Sequence, residues 1–299
     1  MKLSVITTVL NGMPFLADAI ASCPARSDVE HIVIDAGSTD DSWEEIGKHR
    51  HLRVFREPGI SLYAAWNKGI DLAVGDAVLF LNADDILLPD PTLCLFKELM
   101  SQKDVMIIEG QAGHFSRTAP DGSPADLCLY PLPGGVDQTE NLIFGAPTIN
   151  AKIFRKSVFL DTKPFNETFE LAADRYFLLQ GFLKKIKSVP GSVPIYYYRR
   201  HLKSATLSGD AKNRLKISNE HRRISDLLIS QVETERERLM LEAWKVHETV
   251  AAGITLIRNG SLVKGGRTVF SALAYFGGLG GFIRAWRIRK RIHRPINQS

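Results

Sequence analysis

Apolar and polar positions alternate along the first third of the chain in a way that separates strands from helices. Leu3–Val9 is a β-branched, apolar run that stops at Asn11-Gly12, the pattern of a buried strand. Pro14 to Ser22 reads as a helix with proline near its first turn. His31–Asp35 is a second buried strand, and Gly37-Ser38-Thr39-Asp40-Asp41-Ser42 is a loop rich in N-cap residues that leads into a helix. Leu52–Arg56 is a third strand. Ser61–Val74 follows with helical spacing and stops at Gly75. Ala77–Leu81 is a fourth strand and runs into Asn82-Ala83-Asp84-Asp85. A helix from Pro89 to about Met100 and a strand at Val105–Ile108 complete the series.

Repeated β-α units predict an α/β fold with a mainly parallel, Rossmann-like sheet and helices on both faces. Such sheets bind ligands beyond the carboxyl ends of their strands. Asn11, Asp35 and Asp84 stand at three such ends, so they are expected to converge on one rim. Residues 110–165 read as loop-rich, with Pro120, Pro124, Pro131, Pro133 and Gly134-Gly135. Phe169–Lys187 reads as a helix and Tyr196–Arg200 as a short strand. A polar stretch runs to Gly209, and Ala211–Ile257 is helical and charged. The expected division is a domain at 1–209 and a helical, basic region at 210–299. No internal repeat is present.

Composition adds the setting. The 299 residues are 44% hydrophobic and 24% charged, which suits a globular protein with a large core. Cys23, Cys94 and Cys128 are odd in number and far apart, so neither a disulfide framework nor a zinc site is indicated and a reducing, cytoplasmic setting is expected. The N-terminus is too poor in basic charge for a secretory signal. No apolar run reaches the ~18 residues of a spanning helix.

The formal charge of +5 is a property of the tail. Residues 249–299 hold nine Lys or Arg and no acid, which leaves the rest at −4. Thr268–Ile283 is apolar and glycine-rich, and Arg284-Ala285-Trp286-Arg287-Ile288-Arg289-Lys290-Arg291 follows it. Basic residues mixed with Trp and Ile suit an anionic membrane surface at the inner face of a membrane. A packed helix with a solvated basic end is the other reading. Nucleic acid is not expected, because no recognition module accompanies the charge.

The chemistry concentrates in Phe80-Leu81-Asn82-Ala83-Asp84-Asp85, where a buried strand delivers two adjacent carboxylates. Two close anions call for an offsetting charge, and a hard divalent cation supplies it. Four segments occur in order: Ile6-Thr7-Thr8-Val9-Leu10-Asn11-Gly12, Ile34-Asp35-Ala36-Gly37-Ser38-Thr39-Asp40, Asn67-Lys68-Gly69-Ile70 with Gly75-Asp76, and Asn82-Ala83-Asp84-Asp85. Together they resemble the inverting glycosyltransferases of family two, which have the GT-A fold, and more narrowly their bacterial polysaccharide-building members. The resemblance covers about residues 2–100 and, more weakly, 140–200.

It implies a nucleotide-diphosphate sugar donor, with a UDP-sugar favoured, and a hydroxyl of a glycan or lipid-linked acceptor. Thr8 and Asn11 would line the base and ribose pocket and Asp35 would accept from the base. Asn67 and Lys68 would lie near the donor, although the acid common before N-K-G is absent from Tyr63-Ala64-Ala65-Trp66. The family's D-x-D motif is N-x-D here, with Asn82 first. Asp84 is then the expected ligand of Mn2+ or Mg2+, and Asp85 the second ligand or a loop cap.

The acceptor hydroxyl needs a base. Asp174, in Phe169-Glu170-Leu171-Ala172-Ala173-Asp174-Arg175-Tyr176, resembles the family's acid at the start of the acceptor-side helix, with Glu170 as alternative. His201 is either a further metal ligand or a plain loop residue. Arg199 and Arg200 either meet phosphate or are exposed, and His114 and Arg117 fall in the variable region without an assigned role. The processive signature Q-x-x-R-W is absent, so transfer of one sugar per encounter is expected. The competing readings are a sugar nucleotidyltransferase, whose glycine- and arginine-rich phosphate loop is not seen, and a non-catalytic nucleotide-sugar-binding module, which Asn82 favours.

Overall fold

A computed structural model describes residues 1–119, 123–130, 137–146, 148–160, 164–202, 204, 210–275 and 278–292. Pro120, Pro131, Pro133, Gly134 and Gly135 of the loop region, residues 205–209 of the polar stretch, and residues 276–277 of the apolar tail segment lie outside the described residues. The chain forms two compact units. The first comprises Met1–Gly134, Thr148–Glu170 and Ile186–Arg200, and the second Gly135–Pro147, Leu171–Lys185 and His201–Ser299. The second unit therefore takes in two segments from before residue 209 as well as the helical region.

In the first unit, β1 (Leu3–Val9), β2 (Val29–Asp35), β3 (Leu52–Arg56) and β4 (Ala77–Phe80) alternate with α1 (Leu16–Ser22), α2 (Ser42–Gly47), α3 (Leu62–Leu72) and, after β5 (Ile86–Leu87), α4 (Pro89–Ser101). The remaining strands are β6 (Ile107–Phe115), β7 (Cys128–Leu129), β8 (Lys152–Arg155) and β9 (Ser188–Arg199). Their order is β3-β2-β1-β4-β8-β6-β9-β5, with β7 paired to β6. β3, β2, β1 and β4 are mutually parallel, as expected of the β-α repeats. Beyond β4 the antiparallel β8 leads to a second parallel pair, β6 and β9.

β9 is longer than the five residues expected. Ser-Val-Pro-Gly-Ser-Val-Pro reads locally as loop, yet Pro190 and Pro194 stand opposite Glu109 and Gln111 of β6. Register shifts between Glu109 and Ala112 absorb the mismatch. Pairing supplied from elsewhere in the chain overrides the local preference.

α3 shows what the Asn67-Lys68-Gly69 segment does for the fold. A Cβ on Gly69 would sit 2.4 Å from Cγ2 of Ile6, so glycine is what allows this helix to lie close on β1. Beside it, Trp66 stacks on Phe80 at 4.6 Å and meets Phe165 edge-on at 5.1 Å in the buried core. Gly75-Asp76 lies at the opposite edge, at the amino ends of the strands. The Gly75 amide donates to Ser4 Oγ at 2.9 Å, and Asp76 Oδ2 accepts from the Lys2 amide at 2.7 Å. That part of the family-like pattern holds the start of β1 to the start of β4.

The second unit is helical: α5 (Gln138–Phe144), α6 (Ala173–Leu183), α7 (Ala211–Ile229), α8 (Glu235–Arg258), α9 (Leu262–Tyr275) and α10 (Gly278–Ile292) among the described residues. α6 is shorter than the helix expected over 169–187, and Lys185 just beyond its end adopts a left-handed φ of 57°. α7 packs on α8, and α9 and α10 both pack on α8. α8 and α9 approach through a glycine pair: a Cβ on Gly265 would sit 2.6 Å from the Gly253 carbonyl oxygen.

Candidate active site at the carboxyl rim of the sheet

The parallel register brings the ends of β2, β1 and β4 to one rim of the first unit. Val9 stands beside Asp35, and the Leu81 amide donates to the Ile6 carbonyl at 2.9 Å. Asp35 and the β4 end are thus two strand spacings apart, roughly 10 Å of backbone. Asn11, Asp35 and Asp84 are brought together as the strand-end rule anticipated.

The loops on this rim are tied to each other. Asn11, at φ 54°, accepts the Thr39 amide on Oδ1 at 2.8 Å, and its own amide donates to Ser38 Oγ at 3.0 Å. The Gly12 amide donates to Ser42 Oγ at 2.9 Å and the Met13 amide to Asp40 Oδ2 at 3.1 Å. The serines and aspartates of the GSTDDS loop therefore fix the loop after β1. Asn11 remains exposed and Thr8 half-buried.

Asp35 is fully enclosed. Its carboxylate accepts the Gly37 amide at 3.2 Å and the Ser38 amide at 3.1 Å, and pairs with Arg56 Nε at 3.3 Å. Arg56 in turn lies over the Trp43 ring at 4.6 Å and is open to solvent on one side. Arg56 ends β3, so the same strand-end rule that singled out Asp35 points to it.

Asn67 and Lys68 are both engaged. Asn67 Nδ2 donates to the Phe165 carbonyl at 3.0 Å and to Glu167 Oε1 at 2.9 Å, and its Oδ1 accepts the Phe165 amide at 3.0 Å. Lys68 pairs with Glu57, just past β3.

The two adjacent carboxylates have different surroundings. Asp84 is half-buried at the rim. Asp85 is buried and is held by three protein donors: Tyr196 Oη at 2.7 Å, the Arg199 amide at 2.8 Å and Asn82 Nδ2 at 2.8 Å. Burial, reinforced by the Asp84 charge, pushes its carboxyl up to about 8. Of the two roles expected for Asp85, the geometry displays the loop cap. Asn82 is likewise bound inside the protein, with its amide donating to Tyr196 Oη at 3.0 Å and its Oδ1 accepting from Asn150 at 3.3 Å.

Arg199 corrects an expectation, because it is neither exposed nor a surface phosphate ligand. Its guanidinium is buried between the rings of Phe15 and Phe115, at 4.7 and 4.8 Å. It donates to the Asp84 carbonyl at 3.0 Å, Thr118 Oγ1 at 3.0 Å and Asp18 Oδ2 at 2.8 Å. Tyr196, Asn150 and Arg199 form the support of the Asp84 loop. Their separation in sequence, by up to 115 positions, hid them. Arg200 is exposed. His114 sits in β6 against Tyr130 at 5.4 Å, and Arg117 is an exposed partner of Asp126.

Asp174 belongs to the second unit, in the first turn of α6, half-buried. Its neighbour Arg175 donates to the carbonyls of Leu142, Ile143 and Gly145 at 2.7–3.0 Å and so closes the carboxyl end of α5. Burial lowers the pKa of both Arg175 and His221, and the nearby Asp174 carboxylate only partly opposes that. Glu170 is exposed in the first unit, and the His201 amide donates to Ser204 Oγ at 3.2 Å in the second.

Residues 4–158 match the model of glycosyl transferase family 2. With this match over half its length, the chain belongs to that family and is a glycosyltransferase. An uncharacterised glycosyltransferase of Nostoc sp. is 28% identical over 252 residues, 77% of this chain and 76% of that protein. A PGL/p-HBAD biosynthesis glycosyltransferase of Mycobacterium bovis is 27% identical over 198 residues, 60% of this chain and 69% of that protein. Residues 1–349 of Staphylococcus aureus TarS, solved with UDP-GlcNAc, have a TM-score of 0.60 at 18% identity, covering 98% of this chain and 83% of that one. The mannosyltransferase PcManGT of Pyrobaculum calidifontis, solved with GDP-Man and Mn2+, has a TM-score of 0.56 at 16% identity, covering 97% and 84%. The expected GT-A fold is the fold of this chain.

Proposed function

We propose that this glycosyltransferase moves one sugar per encounter, with inversion, from a nucleoside-diphosphate donor to a hydroxyl of a glycan or lipid-linked acceptor in polysaccharide biosynthesis. The observation that carries the reading is the single rim that holds Thr8, Asn11, Asp35 and Asp84 at the ends of adjacent parallel strands. A nucleoside diphosphate laid across it would have its base and ribose at the β1 and β2 loops and its phosphates toward β4. TarS, solved with UDP and UDP-GlcNAc, favours uridine as the base.

The residues at the rim fit a hard divalent cation, Mn2+ or Mg2+. Asp84 offers a carboxylate, and such ions take one or two carboxylates with phosphate oxygens completing the shell. Among the described residues no group of three or more His, Cys, Asp or Glu side chains gathers to hold a metal without substrate. When bound, the ion would offset charge on the departing diphosphate. Asp85 holds the loop, and Asn11 and the GSTDDS loop shape the base and ribose pocket. Arg56 and Lys68 are cations on that side of the sheet. The acceptor oxygen attacks the anomeric carbon as the bond from that carbon to the phosphate oxygen breaks, and Asp174 takes the hydroxyl proton.

A panel of UDP-glucose, UDP-GlcNAc and GDP-mannose, assayed with Mn2+ for release of nucleoside diphosphate and for the anomer formed, tests this. Asp84→Ala is expected to weaken metal-dependent UDP binding and to abolish turnover; Asp174→Asn keeps UDP binding and loses turnover. Donor binding without turnover under all conditions would leave a binding module, and release of pyrophosphate would mark a nucleotidyltransferase. Full turnover in Asp174→Asn removes that residue from the mechanism.

A further inference from the structure

The outer faces of α9 and α10 carry the same unusual pattern. On α9, Val263, Arg267, Phe270 and Ala274 recur at intervals of four, three and four, which places them on one face. All are exposed, Val263 to 71% and Phe270 to 73%. On α10, Leu279, Ile283, Trp286 and Lys290 recur at the same intervals and are also exposed, Leu279 to 61% and Trp286 to 50%. The opposite faces are the ones already satisfied: Gly265 and Ala272 of α9 and Ala285, Ile288 and Ile292 of α10 are buried, with both helices packed on α8. Helices that already have a buried face normally turn polar residues to solvent. Here each outer stripe is three apolar residues and one cation.

Cations lie within and beside both stripes. Lys264 and Arg267 lie on α9, and Arg284, Arg287 and Lys290 on α10, all exposed. Lys290 Nζ lies 5.0 Å from the Trp286 ring centroid. An open depression of about 520 Å³ on α9 is lined by Val263, Lys264, Arg267, Thr268 and Ser271, which presents two cations and two hydroxyls together. Arg291 is excluded from the set, since it pairs with Glu140 inside the unit. From residue 249 onward no acid counters this charge.

We infer that the α9–α10 face docks on an anionic phospholipid surface, with Val263, Phe270, Leu279, Ile283 and Trp286 entering the headgroup boundary and the flanking Lys and Arg meeting lipid phosphate. No helix among the described residues is long and apolar enough to cross a membrane, so the mode is lying on the surface. Charge decides between occupants. A second copy seated face to face would bring two cationic rims together, and nucleic acid would leave Phe270, Leu279 and Ile283 without apolar partners. A lipid surface satisfies both halves of the pattern. The inference stands apart from the donor-site reading, because it concerns binding and not turnover.

Flotation of the full chain with vesicles of phosphatidylcholine, alone or with three parts in ten phosphatidylglycerol, tests it. Partitioning is expected on the anionic vesicles, with a blue shift of Trp286 emission that Trp286→Phe removes. At ~1 kcal/mol per basic residue near anionic lipid, Arg284→Gln with Arg287→Gln lowers partitioning about thirtyfold. Phe270→Ser with Trp286→Ser lowers it by about tenfold or more. Circular dichroism melting of each variant shows that loss of binding is not loss of fold. No partitioning, equal partitioning on neutral vesicles, or indifference to these substitutions overturns the inference. So does a concentration-dependent dimer or retention of duplex DNA that the same substitutions abolish while vesicle binding persists.

Discussion

Arg199→Lys separates buried support from surface charge at the candidate site. The native guanidinium is 6% exposed and makes three side-chain hydrogen bonds while stacked between two phenyl rings. Lysine keeps the charge, and hence its desolvation cost, but loses the planar fork. The bond to the Asp84 carbonyl involves a charged donor and contributes about 2 kcal/mol; that to Thr118 adds about 1 kcal/mol. The ring sandwich adds about 1 kcal/mol. The pair with Asp18 contributes under about 1 kcal/mol, because Asp18 is 55% exposed. The total is about 4 kcal/mol, or a fall in melting temperature of roughly 10 °C for a unit of this size. Asp18→Asn, which removes only the exposed pair, is expected to shift it by about 2 °C. Thermal unfolding by circular dichroism measures both, and titration calorimetry with UDP and Mn2+ reads the effect on the Asp84 loop, expected as about tenfold weaker binding. Equal shifts in the two variants, or an Arg199→Lys melting temperature within about 2 °C of the native protein, would refute the reasoning.

His31 gives a pH signature. Burial, with help from the His51 and His49 charges, holds its imidazole at about 3, against an unfolded value of 6.5. Below pH 6.5 the unfolded chain takes up a proton that the folded one refuses, so stability falls as pH drops toward 3, by ~1.4 kcal/mol per unit. Urea unfolding is expected to show a difference between native protein and His31→Gln that changes by about 2 kcal/mol between pH 6.5 and 4.5; a constant difference would sink the assignment. Gly69→Ala is expected to cost about 1–3 kcal/mol through the clash with Ile6, more than the helix propensity it gains, as read from the urea midpoint. Tyr196→Phe removes the hydroxyl that joins the Asn82 amide to Asp85 and is expected to cost about 2 kcal/mol by the same measurement.

Much of the nucleotide half was legible in the chain itself. β1 and β3 fall on the residues expected: the first is a largely β-branched and aliphatic run closed by Asn-Gly, the second a Leu-Arg-Val-Phe-Arg segment closed by Pro-Gly. The strand-end rule then placed Asn11, Asp35 and Asp84 on one rim without coordinates. The second half of the sheet was not legible in the same way. β9 contains two prolines and a glycine, and it becomes a strand because β6 and β5 flank it. Family-like motifs also carried more than one message. Gly69 and Gly75 answer to close packing, and Asn67 to a loop 98 positions away.

Sequence alone determined the order of elements through α4, the polarity of the first parallel strands and which residue types stand at their carboxyl ends, since these follow from local periodicity and chain direction. Tertiary structure decided what each polar residue does there. Adjacent in the chain, Asp84 and Asp85 differ because one faces the rim and the other meets Tyr196, Asn82 and the Arg199 amide. Arg199 is a buried support and Arg200 an exposed charge for the same reason. Burial and hydrogen-bond partners come from residues over a hundred positions away, and no local pattern encodes them.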